Sequence, residues 1–361
     1  MIHLLTIIGA RPQIIKAAAL SRVIRGKFAS QVSEHILHTG QHYDSNMSQV
    51  FFDELGIPAP EFNLSVGSGH HGEQTAKMIM GIEQVLLQQH FDGVVLYGDT
   101  NSTLAGAVAA SKLHIPVFHI EAGLRSFNMN MPEEVNRIVC DQLSAILFAP
   151  TQTAVDNLCN EGLDRRLKIV NSGDIMLDNC RYFSSIAEER STILQQYDLT
   201  DNSYILATIH RDNNTDDPTR LDSLISALES ISADFPVVLP LHPRTAKILG
   251  TRCLHGNIKV LPPASFLDML MLEKHSTMVL TDSGGVQKEA FFLEKPCVIL
   301  RPETEWVEIV ENGAGVIVDA DYSRIISAYH ELLGRTVHFP PLFGDGNASN
   351  HIVSEILSFF N

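Results

Sequence analysis

Short apolar runs alternate with helix-length amphipathic segments along the whole chain. The apolar runs lie at Leu4–Ile8, Val94–Tyr97, Pro116–Ile120, Ile146–Ala149, Leu167–Val170, Tyr204–Ile209, Pro236–Leu241, Ile258–Leu261, Met278–Leu280, Cys297–Leu300 and Gly315–Val318. Helical patterns lie between them, as at Gln13–Phe28, Gly72–Gln89, Ser102–Lys112, Glu133–Leu143, Leu221–Ser232 and Gln287–Leu293. Apolar strands that alternate with helices are typical of parallel sheets covered on both faces, so the pattern predicts an α/β protein.

The strand and helix pattern restarts near the middle of the chain. A helical stretch over Ile175–Tyr197 ends the first series, and a fresh strand begins at Tyr204. A chain of 361 residues has room for two domains of ordinary size. We therefore predict two doubly wound, Rossmann-like domains that face a cleft, at residues 1–172 and 173–345. Ligands of such sheets bind at the carboxyl ends of the strands.

Composition narrows the classes of protein. An apolar fraction of 45% suffices for two cores, and the net charge of −16 argues against broad binding to nucleic acid or anionic membranes. A few local cations and helix ends could still hold a small anionic ligand. The five cysteines follow no paired spacing, and the apolar start MIHLLTIIG is too short for a membrane span. We expect a cytoplasmic protein without nucleic-acid or membrane partners.

The turn after the first predicted strand is a candidate anion site. It reads Gly9-Ala10-Arg11-Pro12-Gln13, in which the glycine permits a tight turn and the proline suits a first helical position. Arg11 beside a helix N-terminus could bind an anion. A structural turn with a solvated arginine is the alternative.

A second candidate anion site lies in the second half of the chain. Ser283, Gly284 and Gly285 join a predicted strand to a helix, and successive N–H groups in such a turn can bind phosphate. Glu289 lies further along that helix, where a carboxylate would not help to bind phosphate but could accept the paired hydroxyls of a ribose. A plain helix cap without a ligand is the alternative.

Carboxylates follow two strands and open a helix in the first domain. Asp99 and Glu121 come directly after predicted strands, and Glu133 and Glu134 begin a helix. Asp99 could be only a helix cap, and either glutamate could be only a partner of the helix dipole. Together, Asp99, Glu121 and Glu133 indicate acid–base chemistry. The spacing also allows an ion pair between Glu133 and Arg137.

Two histidines end strands in the second domain. His210 and His242 stand at the carboxyl ends of consecutive predicted strands, where a side chain is well placed for a ligand. A structural role is the alternative for each.

Other motifs do not support a cofactor or metal site. Residues 67–72 match the dinucleotide pattern GxGxxG, but no convincing first strand of a βαβ unit precedes them. His70 and His71 with Glu73 lack the spacing of metal ligands. We therefore expect neither NAD nor a metal ion.

Eight motifs occur in one order: IIGARPQIIK, HTGQHYD, YGDTNSTLAG, HIEAGLRSFN, MPEEVNR, ATIHR, PLHPR and TDSGGVQKEA. Together they resemble the non-hydrolysing UDP-N-acetylglucosamine 2-epimerase family, from Ile7 to about Trp306. The combination is far more specific than any single motif. The resemblance implies a glycosyltransferase-B-like fold whose last helix, within residues 346–361, crosses back to the N-terminal domain. We expect a UDP-sugar substrate, a homodimer and no cofactor.

The resemblance also implies roles for the residues at strand and helix ends. The expected catalytic residues are Asp99, Glu121, Glu133 and His210. The expected substrate-binding residues are Arg11, Lys16, His242, Ser283, Gly284, Gly285 and Glu289. Within these sets, Arg11, Lys16 and His210 would contact the UDP phosphates, the Ser283 turn would surround them, and Glu289 would bind the ribose.

The implied reaction proceeds in two stages. A carboxylate removes the C2 proton while UDP leaves C1, which gives a 2-acetamidoglucal. UDP adds again after a proton has returned to the opposite face of C2. A hydrolysing epimerase, a glycosyltransferase on the same scaffold and a non-catalytic nucleotide-sugar sensor are the rival functions.

The chain departs from the usual family pattern near its end. It reads Thr-Glu-Trp-Val-Glu over residues 304–308, where Thr-Glu-Arg-Pro-Glu is usual. Ala10 and Gln13 likewise stand where Thr and Glu are commoner, and these variants together resemble the branch that acts on UDP-2,3-diacetamido-2,3-dideoxyglucuronate, a precursor of surface polysaccharides. That sugar and UDP-N-acetylglucosamine both stay open as substrates. Gln41 and His42 match the motif near which some relatives bind a regulator.

Overall fold

The computed structural model describes residues 1–40, 56–250 and 253–361. Gln41 and His42, which match the motif near which some relatives bind a regulator, lie outside the described residues. The chain divides into two compact units, one formed by Met1–Asn179 with Pro341–Asn361 and the other by Cys180–Pro340. The division falls within a helix, Ile175–Arg190. Among the described residues, no helix combines the length and the apolar character needed to cross a bilayer.

The first unit contains a parallel sheet of seven strands in the order β3-β2-β1-β4-β5-β6-β7. The strands are β1 Ile2–Ile8, β2 Val32–His38, β3 Phe62–Asn63, β4 Gly93–Tyr97, β5 Val117–Ile120, β6 Ile146–Ala149 and β7 Lys168–Asn171. Its helices are Arg11–Lys27, His71–Gln88, Asn101–Lys112, Pro132–Leu143, Gln152–Asn160, the 3-10 helix Leu163–Arg165, the start of Ile175–Arg190, and Ala348–Phe360.

The second unit contains a parallel sheet of six strands in the order β10-β9-β8-β11-β12-β13. The strands are β8 Ile205–Thr208, β9 Val237–Pro240, β10 Ile258–Leu261, β11 Met278–Thr281, β12 Cys297–Ile299 and β13 Gly315–Ile317. Its helices, besides the end of Ile175–Arg190, are Ile193–Gln196, Asp212–Thr215, Pro218–Ile231, Pro243–Leu249, Phe266–Lys274, Gly284–Phe292, Val307–Glu311 and Tyr322–Leu333. The predicted α/β class with two doubly wound parallel sheets is confirmed.

The central strands are apolar because both faces of each sheet are covered. Every residue of β4, β5 and β6 is buried, as is every residue of β8, β9 and β11. The hydrophobic pattern did not predict β2, because polar residues interrupt it. Glu34 of β2 accepts hydrogen bonds from Thr6 at 2.7 Å and from Ser21 at 2.5 Å, so the sheet satisfies this polar side chain internally.

Each sheet has a point where the strand order reverses direction. In the first unit β1 lies between β2 and β4, and in the second β8 lies between β9 and β11. Ligands of open parallel sheets bind outside the carboxyl ends of the strands at such points. Arg11 and Asp99 follow β1 and β4, while His210 and Ser283 follow β8 and β11. The topology therefore brings predicted site residues to the reversal point of each sheet.

The end of the chain belongs to the first unit. Helix Ala348–Phe360 packs against helix Arg11–Lys27, and the rings of Phe359 and Phe360 meet Phe118 edge-on at 5.5 and 5.9 Å between centroids. The buried carboxylate of Asp178 accepts hydrogen bonds from the N–H groups of Ala348 at 3.0 Å and Ser349 at 2.8 Å. Asp178 therefore caps the last helix from a distant position in the chain.

We expect Asp178→Ala to lower the free energy of unfolding by about 1–3 kcal/mol, because two buried N–H groups lose their acceptor. Chemical denaturation followed by circular dichroism measures the change. Asp164→Ala, on the exposed 3-10 helix Leu163–Arg165, is the matched control, with an expected change within about 0.5 kcal/mol. Equal changes in both variants would contradict the capping role.

Candidate functional site

Glu121 adopts an unusual backbone conformation at the end of β5. Its φ is +71°, a left-handed value that costs energy in a residue with a side chain. The N–H groups of Glu121 and Ala122 both donate to the carbonyl oxygen of Phe148, at 3.1 and 3.0 Å. These two hydrogen bonds hold the strained turn, which directs the Glu121 carboxylate toward Lys16.

Lys16 and Glu121 form a largely buried ion pair. Gly98, at the end of β4, packs directly against it. A β-carbon at this position would lie 3.1 Å from both Glu121 Oε2 and Lys16 Nζ, and the φ of Gly98 is +61°. Both the close approach and the left-handed backbone require glycine here. The next residue is Asp99, so two predicted carboxylates stand on adjoining strand ends.

A pocket of about 280 Å³ opens in the first unit beside these strand ends. Its polar lining includes Arg11, His71, Asp99, Asn101, Glu133 and Asn136. Four of the described helices begin at it, because Arg11, His71 and Asn101 are first residues and Glu133 is a second residue of their helices. Helix N-termini carry partial positive charge, so the pocket favours ligand oxygens and developing negative charge.

Arg137 separates the roles of the two adjacent glutamates. It pairs with Asp99 and, at 2.5 Å, with Glu134. Glu134 also accepts the N–H groups of Ser126 at 2.9 Å and Phe127 at 3.0 Å. Burial alone raises the pKa of Glu134, but these hydrogen bonds and the Arg137 charge bring that pKa below its usual value. Glu134 thus holds a loop, while Glu133 lines the pocket.

A buried histidine joins the ends of β4 and β5. His119 Nδ1 lies 2.7 Å from the Asp141 carboxylate, and His119 Nε2 lies 2.7 Å from the carbonyl oxygen of Gly98. A carbonyl and a carboxylate only accept hydrogen bonds, so both ring nitrogens donate and the ring is an imidazolium. Burial alone lowers the pKa of His119, but its interactions with Cys140 and Asp141 raise that pKa well above its usual value.

The Asp141 carboxylate that pairs with His119 belongs to a larger network of charged groups. Asp141 also pairs with Arg125 at 2.8 Å, and Arg125 binds Glu161 through two contacts of 2.6 and 2.8 Å. The side chains of His119 and Asp141 are fully buried, and that of Arg125 is 1% exposed. This network fixes the carbonyl of Gly98, and with it the turn that leads to Asp99.

In the second unit a buried carboxylate orients a predicted site histidine. Asp282 follows β11 and accepts hydrogen bonds from the backbone of His210 and Arg211, the nearest contacts being 3.1 Å. It also pairs with His210 Nδ1 at 3.0 Å. Burial alone raises the pKa of Asp282, but these hydrogen bonds lower it below its usual value. With Nδ1 engaged, Nε2 of the partly exposed His210 is the nitrogen available to a ligand.

The neighbouring strand ends carry the other predicted residues of this unit. The ring centroids of His210 and His242 lie 6.1 Å apart. Ser283 caps helix Gly284–Phe292 by accepting the Val286 N–H at 3.4 Å. The cap leaves the N–H groups of Gly284 and Gly285 at the helix end, where the first N–H groups have no partner within the helix. The helix-cap interpretation of Ser283 and the anion-site interpretation are therefore compatible.

Two buried cations lie near the Gly284 turn and were not singled out from the sequence. The Lys288 ammonium stands 4.0 Å from the ring centroid of Trp306, and both residues are buried. Arg301 forms a two-point ion pair with Glu305 at 2.8 and 3.0 Å. A β-carbon at Gly284 would lie 3.6 Å from an Arg301 nitrogen and 3.8 Å from Trp306 Nε1. Two basic side chains thus lie near this turn although residue 306 is tryptophan, and Glu305 balances the charge of one of them, Arg301.

Comparison with known proteins decides the family. The family model described as UDP-N-acetylglucosamine 2-epimerase matches residues 26–357. The chain belongs to this family. It is 52% identical to UDP-2,3-diacetamido-2,3-dideoxy-D-glucuronate 2-epimerase of Pseudomonas aeruginosa, with 97% of this chain and 98% of the relative aligned.

Solved epimerase structures resemble the chain over its whole length. A structure of the Methanocaldococcus jannaschii UDP-GlcNAc 2-epimerase in complex with UDP-GlcNAc and UDP has a TM-score of 0.89 and 41% identity, and covers 99% of this chain and 100% of its own. The Neisseria meningitidis UDP-GlcNAc 2-epimerase bound to UDP-GlcNAc has a TM-score of 0.88 and 29% identity, and covers 99% and 100%. The predicted glycosyltransferase-B-like fold is therefore confirmed.

The structure groups the predicted epimerase residues within each unit. In the first, Arg11, Asp99 and Glu133 line one pocket, and Glu121 pairs with Lys16 behind Gly98. In the second, the predicted residues follow neighbouring strands, except for Glu289, which lies further along its helix.

Sequence reasoning missed His71, His119, Lys288 and Arg301. The motif HIEAGLR contains His119, but its partner Asp141 lies 22 residues later on another element. No local signal could have revealed that pair. His71 was considered only as a metal ligand.

We expect His119→Gln to destabilise the protein by about 3–5 kcal/mol near pH 6, because Asp141 loses a buried partner. A raised pKa stabilises the fold fully below the unfolded value near 6.5 and progressively less as pH rises toward the folded value. The melting temperatures of wild type and variant should therefore converge from pH 6.5 upward. His351→Gln, on an exposed position of the last helix, is the control. A difference independent of pH would contradict the imidazolium.

Proposed function

We propose that this protein inverts C2 of a UDP-linked 2-acetamido sugar and keeps the sugar attached to UDP. The pocket of the first unit carries the proposal, because it places Asp99 and Glu133 where four helices begin. Carboxylates supply the bases that proton removal needs, and helix N-termini stabilise charge that develops on oxygen. Family membership and the relatives named for this reaction support it.

The reaction proposed is an elimination followed by an addition. The C2–H and C1–O bonds break, a C1=C2 double bond forms, and UDP departs with the electron pair of the C1–O bond. A proton then reaches C2 from the opposite face while UDP bonds to C1 again. The two steps sum to an isomerisation without net oxidation. An unactivated C2–H is a poor acid, so stabilising the departing UDP is as necessary as the base.

Two faces of C2 require two routes for the proton, and the first unit offers more than one carboxylate. We assign the acid–base work to Asp99, Glu121 and Glu133 as a group. Arg137 and Lys16 hold Asp99 and Glu121 by ion pairs, whereas Glu133 lines the pocket at the start of its helix. Arg11, at the same pocket, is assigned to the phosphate groups along with Lys16.

The remaining contacts to UDP are assigned to the second unit. His210, oriented by Asp282, and the N–H groups of the Ser283–Gly285 turn suit a diphosphate. Glu289 is assigned to the ribose, and His242 to the substrate beside His210. The relatives whose solved structures hold UDP-GlcNAc support a nucleotide-sugar ligand.

The substrate proposed is UDP-2,3-diacetamido-2,3-dideoxyglucuronate. Support comes from the Pseudomonas aeruginosa relative named for that sugar. The Thr-Glu-Trp-Val-Glu variant over residues 304–308 resembles the same branch of the family, and its Trp306 is buried against Lys288. The homodimer and the cytoplasmic location stay predictions.

The test of function is NMR of the UDP-sugar incubated with protein in D2O. We expect deuterium at C2 and formation of the manno epimer, still linked to UDP. Release of free sugar would favour the hydrolysing alternative, and the absence of C2 exchange would contradict the proposal.

Variants assign the carboxylates in the same assay. Asp99→Asn, Glu121→Gln and Glu133→Gln should each lower kcat by about 100-fold or more. Titration calorimetry should show that UDP still binds to each. Full activity in all three would point to a base elsewhere. Glu289→Gln should instead weaken UDP, because the ribose loses an acceptor.

Substrate choice is measured by kcat/KM for UDP-2,3-diacetamido-2,3-dideoxyglucuronate and UDP-N-acetylglucosamine side by side. We expect the diacetamido uronate to be favoured by at least about 10- to 100-fold, because polar groups matched to its substituents would stay unpaired with the other sugar. The reverse preference would assign the chain to plain UDP-N-acetylglucosamine.

A further inference from the structure

His71 occupies a position in the pocket that no assigned role explains. It is the first residue of helix His71–Gln88, it is exposed, and it lines the same pocket as Asp99 and Glu133. Its Nδ1 lies 3.1 Å from the side-chain nitrogen of Asn101. What His71 offers a ligand depends on which of its ring nitrogens carries the proton.

The buried side-chain amides of Gln74, Asn101 and Asn136 form a hydrogen-bonded chain. At one end of this amide chain, a backbone contact fixes which way the amide of Asn136 is turned. Its side-chain nitrogen donates to the backbone carbonyl oxygen of Asp99 at 2.8 Å. A carbonyl oxygen only accepts, so the amide cannot be reversed. The same nitrogen donates to Asn101 Oδ1 at 3.2 Å. The oxygen of Asn101 therefore faces Asn136.

The other end fixes the direction of Gln74 in the same way. Its side-chain nitrogen donates to the backbone carbonyl oxygen of Gly67 at 2.8 Å. Its oxygen consequently faces Asn101 and accepts from Asn101 Nδ2 at 2.8 Å. Gln74, Asn101 and Asn136 are all buried, so reversing any of them would leave like groups facing each other away from water.

This fixed chain sets the tautomer of His71. The side-chain nitrogen of Asn101 can only donate hydrogen bonds. His71 Nδ1 therefore accepts a hydrogen bond from it and carries no proton. The neutral ring must then carry its proton on Nε2, which lies on the far edge of the ring from Asn101. His71 therefore presents a hydrogen-bond donor to a ligand in the pocket.

We infer that His71 Nε2–H donates to the carbonyl oxygen of the C2 acetamido group of the substrate. The inference rests on the proposed function, in which the pocket carboxylates reach the C2 proton. A donor beside those carboxylates then lies within reach of the substituent on C2. Asp99 and Glu133 would repel a sugar carboxylate here, which favours a neutral acceptor. His71 thus selects acetamido sugars.

The experiment compares dissociation constants of UDP, UDP-glucose and UDP-N-acetylglucosamine, measured by calorimetry at reaction equilibrium. His71→Ala should weaken UDP-N-acetylglucosamine by about tenfold, the usual effect of one lost hydrogen bond, and leave the two ligands without an acetamido group unchanged. His71→Gln, whose amide nitrogen reaches the place of Nε2, should restore most of the affinity. His70→Ala, which alters the adjacent histidine outside the pocket lining, is the matched control.

A second variant tests the amide chain itself. Asn101→Asp replaces the donor beside His71 with an acceptor, so the proton should move to Nδ1. Nitrogen NMR of the histidines should show this change of tautomer, and UDP-N-acetylglucosamine should weaken as in His71→Ala. An unchanged tautomer would overturn the argument.

The outcomes separate this inference from the proposed function. Equal loss of all three ligands in His71→Ala, or no loss of any, would overturn the acetamido contact while C2 exchange in wild type still held. Absence of C2 exchange in wild type would instead overturn the function. Failure of His71→Gln to recover affinity would show that the donor at Nε2 is not what the ligand needs.

Discussion

The hydrogen bonds of the His119 imidazolium hold together the part of the first unit to which we assign the acid–base chemistry. One bond reaches the Gly98 carbonyl at the end of β4, while the ring itself stands on β5, two residues before Glu121. A buried cation is stable only when its partners are complete, and here the Asp141 carboxylate and the Gly98 carbonyl oxygen are those partners, while Arg125 holds Asp141 in turn. The ends of β4 and β5 are thereby fixed relative to each other. Because Asp99 and Glu121 follow these strands, their positions are fixed as well.

The second unit also orients a polar side chain at a strand end through a buried charged group, but there the buried group is negative and not positive. There the buried group is a carboxylate, Asp282, and the side chain that it orients is His210 at the end of the neighbouring strand. In both units, hydrogen bonds between adjacent strand ends position a polar side chain at the reversal point of the sheet. The sheet topology determines at which strand ends these polar side chains lie, and the buried charged group determines how each side chain is oriented.

The local field of the first unit's pocket differs from that of the whole chain. The chain carries a net charge of −16, yet four helices begin at the pocket, and Arg11 and Arg137 lie beside its carboxylates. Helix ends act within about one turn, so they dominate at short range. These positive groups offset the negative charge of the pocket carboxylates. Near Gly284, buried Lys288 supplies a positive charge, whereas the charge of Arg301 is balanced by its ion pair with Glu305.

The sequence by itself determined the α/β class and the positions of most strands, because buried parallel strands must be continuous apolar runs. It also indicated Asp99, Glu121 and His210 as candidate site residues, because ligand groups of such sheets follow the strands, and all three do follow strands in the structure. Only the tertiary structure decided that Glu134 holds a loop while Glu133 lines the pocket, and that β2 is a strand. The tautomer of His71 likewise follows only from the tertiary structure, through its contact with Asn101. Those properties depend on hydrogen-bond partners outside the element itself, 28 and 30 residues away for Glu34 and His71 and in a neighbouring loop for Glu134, which the local pattern of residues does not encode.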